Sequence, residues 1–307
     1  MSSKGTKSRP FHLVEADGLP PPDDRIWTEQ SRAAELYNEG VRLWTGPMLL
    51  DMEDQMANSS PGVKMFSLNY ESDRYQKKMT DWLPFDLPVR EDHKLHQIVT
   101  FRGHRHLTAP GADWSSDLAY CTWAPGYISL WNGLKPKLYD ELERFRRWRD
   151  SWETSLTGKS FVEAFKAVSI TSPIKRIVCF GLGDFATRHR PDDFDVEGNL
   201  LNPDYQRNDA PSKDRMNFPD IAQHVAALTM AKLLEQRFGR GVRVFAQDPG
   251  YSDTAETILE QNGFTIVGRR GAAGFAMIDE ETLVYSFYNL ANTREIVADI
   301  ALPAVSR

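Results

Sequence analysis

Cysteine is nearly missing from this chain of 307 residues: Cys121 and Cys179 are the only two. Two cysteines make neither a disulfide framework nor a zinc set. Long apolar runs are missing as well, and nothing approaches the roughly 20 residues of a membrane span. The first ten residues, M-S-S-K-G-T-K-S-R-P, carry no apolar stretch of the signal-peptide kind. A reducing, cytoplasmic setting without a membrane partner is the expectation. Basic excess is absent too. The formal net charge is −6, so any contact with RNA needs a local patch. Tryptophan stops early: all eight lie at or before Trp152. That shift divides the chain into a Trp-rich region over 25–160 and a second region over 170–307.

What is present centres on Lys175 to Gly183, K-R-I-V-C-F-G-L-G. Ile177, Val178, Cys179 and Phe180 are a short apolar run without polar alternation. Such a run reads as a strand buried on both faces, as in a parallel sheet. Gly181 and Gly183 end it and let backbone come close to a ligand. Cys179 reads as a small core residue rather than a nucleophile.

From there the pattern is regular. Pro219 and Asp220 suit the start of a helix, buried through Ile221, Val225, Leu228, Leu233 and Leu234 and stopped by Gly239. Strands follow at Val242 to Ala246, Phe264 to Val267 and Thr282 to Phe287. Helices fall at about 253–262 and from Asn292 to before Pro303. Strand and helix alternate, which predicts an α/β fold: a doubly wound, mainly parallel, Rossmann-like sheet. Residues 184–218 are a polar insert long enough for a lid or loop.

The first part is less regular. Residues 1–24, with Pro20, Pro21 and Pro22, read as a flexible lead-in. Asp24 is placed to cap a helix over about 26–44, closed by Gly46-Pro47. Tyr120 to Trp123 and Tyr127 to Trp131 flank Ala124-Pro125-Gly126, the pattern of a hairpin. The Trp-rich region reads as core or as a cap over a pocket. His93, His96, His104 and His106 cluster without a strong metal spacing, so no metal is expected. A helix over about 137–152 carries Arg144, Arg146, Arg147 and Arg149. Between 135 and 150, six basic residues face four acidic ones. That stripe is either solvated or a contact for phosphates.

Four segments meet at the carboxyl edge of the sheet in this topology: Gly181 to Asp184, Gln223-His224, Asp248 to Glu256, and Tyr288-Asn289. Asp248 ends the second strand, where nucleotide-binding folds place an acid for a ribose hydroxyl. The third glycine of that fingerprint is missing, so a nucleotide cofactor of the methyltransferase kind stays a minor alternative. Asp248, Asp253 and Glu256 together suit a cationic substrate or a general base. Asp253 and Glu256 also fit a helix cap and its partner three residues on. His224 is read either as a proton carrier or as a packed residue.

The segments I-V-C-F-G-L-G-D-F (177–185), A-Q-H-V-A-A-L (222–228) and F-A-Q-D-P-G-Y-S-D-T-A-E-T-I-L (245–259) resemble the fungal form of the Sensitivity to Red Light Reduced-like family. N-G-F (262–264) and T-R-E-I-V-A-D-I-A-L-P (293–303) extend the likeness, which covers about 174–303. Fungal proteins with this kind of half include arginine-containing cyclodipeptide synthases. The resemblance implies an enzyme that joins arginine from arginyl-tRNA to a second aminoacyl group, with no cofactor and no metal. It implies Asp253, Glu256 and Asp248 as catalytic residues. Gly181, Gly183, Gln223, His224, Tyr251, Tyr288 and Asn289 would line the substrate site, and Arg144, Arg146, Arg147 and Arg149 would meet tRNA. The alternative within the same family is a regulatory protein without a reaction. The acidic D-D-x-x-E motif of the synthases is altered here: Ser252 stands where its first Asp would be, in S-D-T-A-E, and Asp192-Asp193 with Glu197 is one residue too long.

Overall fold

The computed structural model describes residues 39–40, 42–58, 63–65, 75–77, 93–103, 122–131, 138–170, 172–186, 218–287 and 292–301. The lead-in over 1–24, His104, His106, most of the 184–218 insert, and Tyr288-Asn289 lie outside them.

The apolar run forms the strand Arg176–Phe180 (β5). It pairs in parallel with Arg243–Gln247 (β6) on one side and Thr282–Ser286 (β8) on the other, and Phe264–Ile266 (β7) continues beyond β6. The order β7-β6-β5-β8 makes one four-stranded parallel sheet. Side chains alternate across a strand. Ile177 and Cys179 therefore enter one core, while Val178 and Phe180 enter another on the opposite face. Burial on both faces is why the run has no polar alternation.

The first face is covered by the helices Leu138–Thr154 (α2), Phe218–Phe238 (α4) and Asp253–Gln261 (α5). Leu156–Ala167 (α3) packs on α2 and α4. It fills a stretch where the tryptophan shift marked only a boundary. Ser155 caps it by accepting the Gly158 amide at 2.9 Å.

The second face is covered by the helices Gly46–Ala57 (α1) and Thr293–Ile300 (α6), and by an antiparallel pair, His93–Phe101 (β3) with Trp123–Trp131 (β4). Two three-residue strands, Val63–Met65 (β1) and Tyr75–Lys77 (β2), pair antiparallel beside them. Trp44 and Trp123 are fully buried here. The Phe275 ring stacks on Phe180 of the parallel sheet at 4.2 Å and meets Phe101 of β3 edge-on at 5.5 Å. In the described residues, the Trp-rich part thus shares a core with the sheet.

Two expectations are corrected. Gly46-Pro47 opens a helix instead of closing one: Thr45 is the N-cap, and proline occupies the first turn, where no amide is needed. The described residues between 39 and 44 are not helical. Ala124-Pro125-Gly126 is likewise no hairpin loop but lies within β4, just after its first residue. Pro125 lies opposite Val99, whose amide donates to the Arg270 carbonyl at 2.7 Å and so points away from β4. The pair is a non-hydrogen-bonded one, and the missing proline N–H costs no ladder bond.

Candidate functional site

The carboxyl ends of β5 and β6 are joined by backbone and carboxylate bonds. Gly181 and Gly183 have φ of +65° and +81°, a conformation that favours glycine. The Gly181 amide donates to the Gln247 carbonyl at 3.1 Å. Asp248 then closes the turn from the β6 side. One of its oxygens accepts the Gly183 amide and the other the Gly250 amide, each at 2.9 Å. Burial still pushes its carboxyl above the usual range, against the pull of those two bonds.

Two further aspartates stand beside it. Asp184 accepts the Ser252 hydroxyl and amide at 3.2 Å each, and the Ala186 amide at 3.0 Å. Asp220, in the first turn of α4, lies directly over Gly183: a Cβ added there would sit 2.7 Å from the Asp220 carboxyl carbon. Burial, with Asp184 and Asp248 adding negative charge, pushes Asp220 up to about 6. Asp184 closes the first of the four segments expected at this edge, but the sequence reading singled out neither it nor Asp220 as a site residue. The long insert hides that Asp220 returns to Gly183, and an acid at a helix start reads first as a partner of the dipole.

Behind the carboxylates lies His224, fully buried. Its Nδ1 is 2.7 Å from the Asp220 carbonyl and its Nε2 is 2.7 Å from the Tyr251 hydroxyl. A carbonyl only accepts, so Nδ1 carries the proton and Nε2 accepts from the phenol. Burial lowers the ring to about 4, so it is neutral near pH 7. Tyr251 is pushed well above 10 by burial and by Asp248, Asp184 and Asp220. Packing and hydrogen bonding thus both hold His224, with Phe185 and Phe264 edge-on to its ring.

The expected acidic trio is split between two groups. Ser252, not Asp253, is the N-cap of α5: its oxygen accepts the Ala255 amide at 3.2 Å. The capping-box reading of Asp253 and Glu256 is therefore off by one residue. Asp253 is exposed at the first helical position. Glu256, one turn in, meets the Arg269 guanidinium at 2.5 Å. Burial raises its carboxyl, and the Arg269 charge opposes that. Asp253 and Glu260 bear on Glu256, whereas Asp184 and Asp248 bear on Asp220. Gln223 follows on α4, with its side-chain oxygen buried and no hydrogen-bond partner for it among the described residues.

The arginine stripe is broken up as well. Arg144 is buried, ion-paired with buried Glu141, and donates to the Phe185 carbonyl. It holds the segment after Gly183 and has no access to a phosphate. Arg146 pairs with Glu143 at 2.9 Å, and Arg147 is exposed. Arg149 reaches Asn262, at the far end of α5 from Ser252. Cys179 is fully buried with its thiol pushed far up, as expected of a core residue. His96 bonds the Arg269 carbonyl at 2.9 Å. Among the described residues no group of His, Cys, Asp and Glu has the geometry to hold a metal ion. Among them, too, no helix is long and apolar enough to cross a membrane.

These features define an α/β protein with a parallel sheet and an acid-lined carboxyl edge. Residues 161–289 match the family model of the SRR1 domain, a stretch that takes in β5 to β8 and Asp184, Asp220, Asp248, Asp253 and Glu256. The match supports the likeness to the Sensitivity to Red Light Reduced-like family over that stretch. No curated protein and no solved structure matches the chain.

Proposed function

We propose that the carboxyl edge of the sheet receives an aminoacyl group with a cationic side chain, and that the chain joins arginine from arginyl-tRNA to a second aminoacyl group as a cyclic dipeptide. Asp220 carries the reading. Its carboxyl, at about 6, is ionised near neutral pH yet basic enough to take a proton from an attacking amine. The amine nitrogen forms a bond to the ester carbonyl, and the tRNA ribose oxygen leaves with the proton. A second attack of the same kind closes the ring. The ester is already activated, so the reaction needs no cofactor; the site has only to align the two groups. Asp184 adds negative charge suited to a guanidinium.

The strand order, reversing at β5, fits a Rossmann-like winding, in which ligands sit at the carboxyl ends of strands. The base role falls to Asp220 rather than Glu256, because Glu256 is held by Arg269. Mass spectrometry of small molecules from yeast expressing the chain tests this. The wild type yields an arginine-containing cyclic dipeptide, and a folded Asp220→Asn variant loses about 100-fold or more of it. A folded wild type without product sinks the reading.

One observation favours the regulatory alternative. Ser252 and Asp248, both in the acidic stretch, are bound into the fold as a helix cap and a loop clamp. On that reading the edge binds a partner or small ligand, and Asp220→Asn weakens binding with no product at stake. The same clamp weighs against a nucleotide cofactor, since both Asp248 oxygens already accept amides.

A further inference from the structure

The hydrogen bonds of His224 run in one direction only. The Asp220 carbonyl takes the Nδ1 proton, so Nε2 must accept, and Tyr251 must give it its single hydroxyl proton. The phenol oxygen keeps acceptor capacity alone. The two ends of this chain lie on different elements. Asp220 is in the first turn of α4, and Tyr251 ends the turn that Asp248 opens, where the Tyr251 amide bonds the Asp248 carbonyl at 3.1 Å. From this geometry we infer that His224 and Tyr251 are a positioning pair for Asp220. They tie the start of α4 to the 248–251 turn and hold the Asp220 carboxylate over Gly183, beside Asp184 and Asp248.

The arrangement works against like-charge repulsion. Asp248, Asp184 and Asp220 all bear on Tyr251, so the charge of all three reaches its hydroxyl. Left to themselves, three carboxylates would spread toward water. Neutral His224 adds no opposing charge; what it adds is a fixed distance. Asp184 and Asp248 are the charged groups that bear on Asp220. His224 and Tyr251 face it from behind, and the buried Cys179 thiol lies near Tyr251. The inference rests on the role proposed for Asp220, but it is read out without any product.

Two measurements on the full chain decide it. The first is the nitrogen NMR spectrum of the wild-type His224 ring at pH 7. The expected signature is a protonated Nδ1 and a bare Nε2. A protonated Nε2 reverses the chain and overturns the inference. The second is the carboxyl-carbon NMR titration of Asp220 in Tyr251→Phe, assigned by its loss in Asp220→Asn. Phenylalanine keeps the ring packing and removes only the link. The Asp220 midpoint is expected to fall by roughly half a unit or more as the carboxylate relaxes from its neighbours. An unchanged midpoint in a folded Tyr251→Phe variant shows that the link is mere packing. Should that variant not fold, the ring tautomer alone decides. A wild type that makes no product sinks the synthase reading while leaving both NMR outcomes to judge the pair.

Discussion

Asp248 and Asp220 sit at the same sheet edge with opposite duties. Both Asp248 oxygens accept backbone amides, whereas no side-chain or backbone donor to the Asp220 carboxylate is found among the described residues. Asp248→Ala therefore leaves the Gly183 and Gly250 amides without partners in a half-buried turn. A loss of about 2–6 kcal/mol in urea unfolding is expected, at about 1–3 per orphaned donor. A loss below about 1 kcal/mol would show that water replaces the carboxylate there. Asp220 and His224 act on stability through pH. An aspartate at about 6 in the fold, against 3.8 unfolded, keeps its proton longer when folded, so its contribution falls as pH rises across that window. His224, at about 4 against 6.5, does the reverse: its contribution is full above 6.5 and is lost as pH falls toward 4. Between about pH 4 and 6 the two slopes oppose each other. Asp220→Asn removes one of them. The variant should lose about 1–2 kcal/mol more than the wild type on acidification through that window, a figure discounted for the partial exposure of Asp220. Denaturation at a series of pH values checks it, and parallel curves for the two proteins would refute the linkage.

Among the elements, α5 shows how the altered acidic motif is used. Ser252 caps the helix through its oxygen and donates its hydroxyl to Asp184. Restoring the motif by Ser252→Asp keeps a good cap. It also replaces a donor to Asp184 with a second carboxylate, and like charges at that range repel. The variant should be less stable than wild type by about 1 kcal/mol at pH 7 and should recover on acidification. Thermal melts at pH 7 and pH 4.5 read the difference; a more stable variant at pH 7 would mean that the pocket accepts another negative charge. Elements of this kind were largely legible in the sequence. The buried strand Arg176–Phe180, the helix opening near Pro219 and the helix after Ser252 all declare themselves by apolar run, proline or cap residue. What stayed hidden has physical reasons. Gly46-Pro47 signals a stop and a start equally well, and only Thr45 with the packed face of Leu49, Met52 and Met56 decides. Pro125 reads as a turn until its partner strand shows that its nitrogen faces away. Asp220 reads as a dipole partner because the chain alone does not show which glycine it returns to. Arg144 reads as surface because nothing local reveals that Glu141 and the Phe185 carbonyl await it inside.

Across the whole molecule, the two cores meet through the loop after β7. Gln247, at the end of β6, accepts the Gly274 amide at 2.6 Å and donates to the Gly271 carbonyl at 2.8 Å. Glu53 of α1 clasps the same loop from the other side: its two oxygens accept the amides of Arg270, Ala272 and Ala273 at 2.7, 2.9 and 3.1 Å. Val99 and His96 of β3 bond the carbonyls of Arg270 and Arg269. A helix and a strand from the Trp-rich part thus shape the loop that presents Arg269 to Glu256 on α5. Through this loop the first half of the chain reaches the carboxyl edge of the sheet. Glu53→Ala removes the acceptor of three amides at once, while Leu49, Met52 and Met56 keep α1 docked in the core. The structure therefore predicts a local rather than a global effect. Amide exchange should quicken about tenfold or more at Arg270, Ala272 and Ala273, the equivalent of roughly 1.4 kcal/mol of local opening. The amides of β5 should keep their protection, because their bonds lie within the parallel sheet. If β5 loosens in step with the loop, Glu53 supports the fold as a whole and the two cores open as one unit.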